Sequence, residues 1–493
     1  MAERKPSRAG RGTVARALLG AAGALLLAAG AAFGQEADAE TRLDELERKV
    51  TEQQHEIEAL ERARAGAPRA GETGAAGESP RIEWRWNDGF YAEGEVGGTE
   101  YVLRPRARIE LDYRAFPHSQ VNLASPHPIP EDQFLVRRAR VGFDGSFGAF
   151  GFWLEVDPVR GGLPLGNFWV QYQQFPELEV RLGHYKTPFE IDDGLVTESF
   201  ADTIERAMVV GSGTTVAPSF RPGVEVFGNL LGGVLGYWLS AQNQADSSTV
   251  TTGDPLVCAR LESGIESTLR VGVAGLFTRL GGPVQNSFAG KTPGQFQWFT
   301  PVSVRGWEQA YEVDVSLHRG PFWAIAEGIW AQQERRRVLA DGTDGTPLVT
   351  EGGYVTFGWK FFGPVRDAAG LQGTPFAGWQ LFSMDIEKKR NAPELGLEVV
   401  ARLEWCEIED ARGGRRFTSA TETTVARPST AANAARVKGN DCKAVTIGLN
   451  FNPIENVRFM ADYVHLRVGD QSRAERAHSR QADELLFRAE LDF

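Results

Sequence analysis

The chain has 493 residues, is 42% hydrophobic and carries a formal net charge of −12 at pH 7. This excess of acids argues against nucleic acid as a partner, because a polyanion binds to basic surfaces. Beyond the N-terminal region, no segment approaches the uninterrupted apolar run of about 18 residues that a membrane-spanning helix needs. Abundant glycine (56 residues) and phenylalanine (29 residues) are typical of an all-β barrel with many turns and aromatic girdles.

The first 34 residues have the three parts of a secretory signal peptide. Basic residues from Arg4 to Arg16 precede an apolar stretch at 17–32, and Ala32-Phe33-Gly34 has the small-x-small form of a cleavage site. A transmembrane anchor is the alternative, but the apolar run is short for a membrane span. Residues 1–34 contain five basic residues and one acid, so their removal would leave a chain of net charge −16.

Residues 38–64 predict a short α-helical coiled coil. Apolar residues and one glutamine recur there at alternating spacings of three and four, with charged residues between them: Leu43, Leu46, Val50, Gln53, Ile57 and Leu60. A single amphipathic helix is the alternative, but one of this length would be marginal in water. A coiled coil implies an oligomer. Residues 65–80 are rich in alanine, glycine and proline and predict a flexible linker.

Residues 81–493 predict an antiparallel transmembrane β-barrel, although 81–98 carry no clear pattern. In the first strand, Leu103, Ala107 and Ile109 share one face, while charged residues at even positions share the other. The same alternation recurs along the chain and predicts sixteen strands, at 101–114, 133–144, 149–157, 167–175, 178–186, 223–230, 234–243, 255–263, 268–280, 309–318, 321–333, 352–362, 395–408, 442–452, 455–467 and 484–493.

The connections between these strands alternate between short and long, which is typical of outer-membrane barrels. An even strand number places both ends of the barrel on the side of the short turns, which is the periplasmic side. Residues 363–394 are an exception, because they are long where a short turn is expected. A further hairpin, with a strand at 379–384, is one interpretation of that segment.

The last ten residues, ELLFRAELDF, predict the strand that closes the barrel. Leu485, Phe487 and Leu491 share an apolar face, whereas Arg488 and Glu490 lie on the other. The apolar face is expected to meet lipid and the charged face a wet lumen. We therefore expect this strand to pair with the first strand, at 101–114.

A barrel of sixteen strands is wide enough for an aqueous channel, and such a channel is narrowed by a loop folded inward. The strongest candidate is the connection at 187–222, which is long and moderately apolar for an exposed loop. Cys406 and Cys442 flank another long connection, at the ends of neighbouring strands, and either form a disulfide or remain separate thiols. The cysteine and histidine spacings predict no metal site, and the chain shows no cofactor motif.

Six segments lie in a specific order between residues 100 and 493. They are RRARVGFDGSFGAFGFWLEVD (137–157), VRLGHYKTPFEIDD (180–193), TIERAM (203–208), APSFRPGVEVFG (217–228), LNFNPIENVRFMADYVHL (449–466) and ELLFRAELDF (484–493). Together they resemble the phosphate-selective porin O and P family. The resemblance implies a trimeric outer-membrane channel for small hydrophilic solutes or ions. It also implies that the aromatic Phe493 at the C-terminus marks the barrel for assembly.

In the best-known members of that family, basic residues along the lumen and the inward loop select anions. This chain has matching residues, which are candidates for lining the pore: Arg104, Arg106, Arg108, Arg138, Arg140, Lys186, Arg206 and Arg221. An alternative for each lumen arginine is an ion pair that stiffens the wall. These two interpretations remain open at the level of the sequence.

The candidate inward loop departs from the family pattern because it is acidic. It has two arginines and six acids, of which Glu190 is one. The other five acids are further pore-lining candidates: Asp192, Asp193, Glu198, Asp202 and Glu205. A loop of this charge is expected to repel phosphate unless its acids are paired locally. The sequence therefore favours a weakly selective or cation-leaning channel, with a phosphate- or anion-selective porin as the alternative.

The sequence also bears on two other classes of function, a structural tether and an enzyme. The coiled coil at 38–64 suggests a tether between the outer membrane and a periplasmic or cell-wall partner. An enzyme is not expected, because the seven histidines are scattered and no nucleophile motif accompanies them.

Overall fold

The fold is an antiparallel β-barrel, seen in a computed structural model. The structure describes residues 82–86, 90–117, 131–160, 165–191, 202–210, 220–243, 255–265, 268–281, 286–294, 297–339, 342–363, 395–411, 440–454, 456–468 and 481–492. The predicted signal peptide, coiled coil and linker lie outside these residues, as do 364–394 and Phe493. No helix in the described part of the chain is long and apolar enough to cross a membrane.

Twenty strands make up the described secondary structure apart from short 3-10 turns. They are β1 (Ile82–Trp86), β2 (Phe90–Val96), β3 (Thr99–Ala115), β4 (Gln133–Phe147), β5 (Phe150–Val156), β6 (Leu165–Phe175), β7 (Leu178–Lys186), β8 (Phe220–Leu230), β9 (Leu235–Gln242), β10 (Leu256–Ile265), β11 (Leu269–Leu280), β12 (Asn286–Lys291), β13 (Gln297–Val304), β14 (Gly306–Arg319), β15 (Phe322–Arg335), β16 (Gly345–Phe362), β17 (Gly396–Asp410), β18 (Asn440–Ile454), β19 (Val457–Val468) and β20 (Gln481–Asp492).

Sixteen of these strands, β3–β11 and β14–β20, form a closed ring in which each strand pairs antiparallel with the next. The ring closes between β20 and β3, in a register that runs from Leu485 opposite Ala115 to Asp492 opposite Arg108. The predicted sixteen-stranded barrel is thus confirmed, as is the pairing of its last strand with its first.

The two faces of the wall differ sharply in chemistry. On β3, the even-numbered Arg108, Glu110 and Asp112 point inward and are buried, whereas Ile109 and Leu111 point outward and are exposed. Exposed large apolar side chains recur on most of the ring strands, from Phe143 on β4 to Phe487 on β20. This inverts the pattern of a water-soluble protein and is expected where the outer face meets lipid.

Two hairpins are additions to the predicted barrel. Strands β1 and β2 occupy the region at 81–98 that showed no clear pattern, and β2 pairs with the start of β3, at Thr99–Leu103. The hairpin β12–β13 forms a separate two-stranded sheet within the connection between β11 and β14. Its strands were missed because both are short and one contains Pro301, which interrupts a strand pattern.

Candidate pore constriction

The connection that follows β7 enters the barrel, as its apolar character suggested. Its described parts, at 187–191 and 202–210, are almost entirely buried. Phe189, Ile204 and Met208 join an apolar cluster that also contains Val400 of β17. A Cβ atom on Gly352 of β16 would come within 2.7 Å of Val209, so the absence of a side chain at Gly352 lets this segment lie directly against the wall.

Wall carboxylates hold this segment by its backbone. Four N–H groups donate to four acids on different strands: Glu190 N to Glu312 Oε2 of β14 (2.5 Å), Ile191 N to Glu327 Oε1 of β15 (3.0 Å), Met208 N to Glu404 Oε2 of β17 (2.5 Å) and Ile204 N to Asp462 Oδ2 of β19 (2.7 Å). Hydrogen bonds to charged groups contribute about 1.5–3 kcal/mol each. The acidic side of the wall therefore binds the inward segment, and its carboxylates are not open to solutes.

The segment is also fastened through Glu205 to the arginine-rich part of the wall formed by β20, β3 and β4. The Glu205 carboxylate forms an ion pair with Arg114 of β3, hydrogen bonds with Arg137 of β4 (2.9 and 3.2 Å) and lies 3.8 Å from Arg488 of β20. Burial opposes ionisation of Glu205, but Arg137 and Arg114 outweigh it and hold the pKa of this carboxyl well below its usual range. Glu205 is thus a buried, ionised clasp between the segment and the wall.

A bulge in β4 supplies one of these arginines. Val136 pairs with Leu111 and Arg138 pairs with Glu110, so Arg137 is an extra residue in the ladder. Both Arg137 and Arg138 therefore reach the interior, where Arg138 Nη1 bonds to Glu110 Oε2 at 2.5 Å. Strict alternation assigns neighbouring residues to opposite faces, which is why Arg137 was not among the predicted pore residues.

The hairpin β12–β13 is a second inward element, and it crosses the interior. It leaves the ring between β11 and β14, yet its tip contacts the opposite side of the ring at β20 and β3. Thr292 Oγ1 and Gly294 N donate to the Glu484 carboxylate (2.6 and 2.7 Å), and Arg114 Nη1 donates to Gly294 O (3.2 Å). Arg114 therefore touches both inward elements, and the two together form the constriction.

The five predicted pore arginines on β3 and β4 all occur in ion pairs. The pairs are Arg104 and Arg106 with Asp144, Arg108 with Asp492, Arg138 with Glu110, and Arg140 with Glu155 and Asp157. The ion-pair alternative raised by the sequence thus describes their contacts. Ion pairing does not remove the positive charge of these arginines from the pore, because the arginine and the acid of a pair differ in their exposure to the lumen.

In most of the partly exposed pairs, the arginine is the member that meets water. The side chains of Arg104, Arg106, Arg137 and Arg181 are 15–27% exposed, whereas those of their carboxylate partners are at most 4% exposed. Asp492 is the exception, since it is 21% exposed and its partners Arg108 and Arg106 are 7% and 18% exposed. Carboxylates on short stems sit close to the wall, while guanidinium groups on long stems project inward.

The other predicted residues in and beside the loop make separate contacts and do not form one cluster. Lys186 ends β7, with its Nζ 5.6 Å from the Phe220 ring, and Arg221 of β8 donates to a backbone carbonyl. Asp202 and Arg206 are half-buried in the inward segment, and Asn450 Nδ2 donates to the Asp202 carbonyl at 2.9 Å. Three predicted acids, Asp192, Asp193 and Glu198, lie outside the described residues.

Cys406 and Cys442 lie directly opposite each other across β17 and β18, and both are buried. All three cysteines, including Cys258, are free thiols in the structure. A disulfide between Cys406 and Cys442 stays a prediction. Within the described ranges, no group of three or more histidine, cysteine or acidic side chains is placed to hold a metal ion.

Comparison with known proteins gives a family for part of the chain. Residues 295–493 match the family described as phosphate-selective porin O and P, which confirms the resemblance over that part. No curated protein matches the chain. Similar solved structures include the outer membrane channel DcaP of Acinetobacter baumannii (12% identity, 81% of this chain and 99% of that chain, TM-score 0.47), an anion-selective porin from Comamonas acidovorans (11%, 80%, 100%, 0.46) and OmpT of Vibrio cholerae (10%, 80%, 98%, 0.46). Likeness at this level of identity does not extend to solutes or selectivity.

Proposed function

Because this chain is related to the phosphate-selective porins O and P through residues 295–493, we propose that it is an outer-membrane porin for passive diffusion of small hydrophilic solutes and ions. The closed ring of sixteen strands carries the proposal, since it has an apolar outer face and a charged interior that two inward elements narrow. A channel of this kind needs no enzyme chemistry and no cofactor.

Planar-bilayer recording of the purified protein tests this proposal. We expect stepwise insertion of open channels in KCl. The proposal fails if protein that is folded by its circular dichroism and by its heat-dependent gel mobility produces no conductance.

The channel has a weak preference for anions. The arginines of the lumen pairs are more exposed than their acids, and Glu205 is enclosed by Arg114 and Arg137. The cation-leaning interpretation favoured by the sequence assumes that the loop acids act on solutes, but Glu190 and Glu205 are both buried. Exposed rings and rows of arginine raise the local concentration of anions. The reversal potential across a KCl gradient should accordingly have the sign of chloride preference; preference for potassium would refute this assignment.

A homotrimer in outer-membrane lipid is favoured by the unequal lengths of the strands. A lipid-spanning strand needs about 9–11 residues. Strand β5 has 7 residues and β9 has 8, whereas β14–β18 have 14–18. The short side of the ring, β5–β9, is the side expected to be covered by neighbouring subunits. Mass measurement in detergent should give three copies, and a monomer would contradict this assignment.

The N-terminal regions complete the proposal. Residues 1–34 direct secretion and are removed, and 38–64 form a periplasmic coiled coil joined to the barrel at 81–493 by the linker at 65–80. The heptad pattern of 38–64 also favours a second function, attachment to a periplasmic or cell-wall partner. Deletion of 38–80 separates the two functions: conductance should persist, while co-sedimentation of the protein with cell-wall material should be lost if the helix is a tether.

A further inference from the structure

A continuous band of arginine and aromatic side chains lines the lumen from β3 to β8. Arg106 of β3 stacks on Trp153 of β5, with its Cζ atom 4.8 Å from the ring centre. Trp153 in turn meets Trp169 of β6 edge to face, at 6.2 Å between ring centres. Arg181 of β7 then stacks on both Trp169 (4.7 Å) and Phe227 of β8 (4.8 Å). We call these five residues the arginine–aromatic band.

Two glycines allow close approach of the strands that carry the two tryptophans of the band. Gly142 of β4 pairs with Arg106, and a Cβ atom there would lie within 3 Å of β5 backbone atoms. Gly183 of β7 pairs with Trp169, and a Cβ atom there would lie 2.9 Å from the Cβ of Trp169. Gly183 also has a φ of 135°, which other residues rarely adopt. The absence of a side chain at both positions therefore lets β5, which carries Trp153, and β6, which carries Trp169, lie close to the neighbouring strand.

The band is both flat and positively charged where it meets water. Trp153 is half-buried, and Arg106 is the exposed partner in its ion pair. Arg104, the neighbouring lumen arginine on β3, bonds to the same Asp144 carboxylate as Arg106, so two guanidinium groups lie on one recessed acid. A guanidinium offers two parallel donors to a carboxylate, and its face as well as an indole face accepts a stacked ring.

We propose that the arginine–aromatic band is a binding site for organic anions with a flat aromatic body, such as aromatic carboxylates. This inference rests on the channel proposed above and names a solute class for it. The carboxylate is held by Arg104 and Arg106, while the ring stacks on Trp153. Inorganic anions and aliphatic carboxylates use only the first of these contacts. Stacking of this kind corresponds to roughly a five- to tenfold gain in affinity.

The test compares benzoate with acetate and with cyclohexanecarboxylate, which has the same charge and a similar size but no aromatic ring. Affinity is measured in two ways: as block of the KCl current through single channels, and by calorimetry on the detergent-solubilised trimer. Benzoate is expected to bind roughly five- to tenfold more tightly than either of the other two anions. Equal affinities for the three anions would overturn the inference.

Variants locate the site. Trp153→Leu should reduce the preference for benzoate at least fivefold, because it removes the stacking surface. Arg106→Lys keeps the charge but loses the two parallel donors, so it should weaken the binding of all three anions. Trp359→Leu, which changes an exposed tryptophan on the outer face of β16, should leave the preference as it is. If Trp153→Leu does not fold, Arg106→Lys alone decides the matter, and unchanged affinities for all three anions in that variant overturn the inference. Calorimetric binding without conductance would refute the channel but not the site, whereas conductance without a preference for benzoate would refute the site but not the channel.

Discussion

Replacement of Glu205 by glutamine should release the inward segment at 202–210 from the arginine-rich side of the barrel. The change keeps the size of the side chain and removes its charge. Three arginines, Arg114, Arg137 and Arg488, would then face one another without the carboxylate that lies within 4 Å of each. Arg114 and Arg488 keep their bonds to Asp112, but Arg137 loses both of its bonds to Glu205 and the repulsion among the three arginines is no longer offset there.

The size of the effect follows from the burial of this cluster. Removal of one partner from a buried ion pair costs about 3–5 kcal/mol. At about 1.4 kcal/mol per factor of ten, the ratio of docked to undocked segment falls by between roughly 10² and a few times 10³. The backbone bonds of Ile204 and Met208 to Asp462 and Glu404 remain, so the segment still returns to the wall. In the variant, the segment at 202–210 should therefore undock from the wall far more often, while the barrel stays folded.

The rate of trypsin cleavage measures how often the segment undocks, because Arg206 lies in the docked segment and is half-buried there. Cleavage after Arg206 requires the undocked form, and its rate follows the population of that form when reclosing is fast. Glu205→Gln should raise the rate by the same factor of roughly 10² or more, with noisier single-channel currents. The matched control is Asp202→Asn, which removes the same charge from the same segment but keeps the carbonyl that Asn450 binds. Equal cleavage of Glu205→Gln and the wild type, or of the two variants, would refute the clasp.

Three further predictions concern the clasp, the wall and the cysteines. The lowered pKa of Glu205 means that its contribution is complete above the unfolded value of about 4.3 and is lost only as pH falls through the lower, folded value; the difference in single-channel noise between the wild type and Glu205→Gln should thus be the same at pH 8 and pH 5, and a difference that shrinks towards pH 5 would contradict this. Leu403→Arg places a charge on the exposed outer face of β17 and should destabilise the barrel by about 2–4 kcal/mol in urea unfolding from lipid vesicles, with Leu403→Ala as the uncharged control; equal stability of the two variants would argue against a lipid-facing wall. Cys406 and Cys442 in unfolded protein from the outer membrane should resist alkylation until a reductant is added, whereas Cys258 should react at once; immediate reaction of all three would establish separate thiols.

The barrel itself was predictable from sequence because its signal is repeated. Each strand exposes one face to lipid and one to a charged lumen, so period-two alternation recurs wherever the wall is regular. Ile109 and Leu111 against Glu110 and Asp112 show the signal at its clearest. The order of the strands followed from their even number and from the short turns between them.

The constriction was less predictable, because its geometry depends on exceptions to that regularity. A bulge brings Arg137 inward beside Arg138, and strict alternation of inward and outward residues does not predict two neighbouring inward arginines. The hairpin β12–β13 has no long strand and meets Glu484 across the interior, a contact between distant parts of the sequence. The acidic composition of the inward loop was also misleading about its chemistry, since Glu205 is enclosed by arginines that alternation alone could not place beside it.

The way in which the wall holds the inward segment has a consequence for how such channels diversify. Glu312, Glu327, Glu404 and Asp462 grip backbone N–H groups, which every residue except proline provides. Substitutions in the segment can therefore change the side chains that face the solute while its path across the lumen is inherited unchanged. The four acids hold the backbone of the inward segment in place whatever most of its side chains are. Related barrels can therefore change which solutes they pass through substitutions in the inward segment alone.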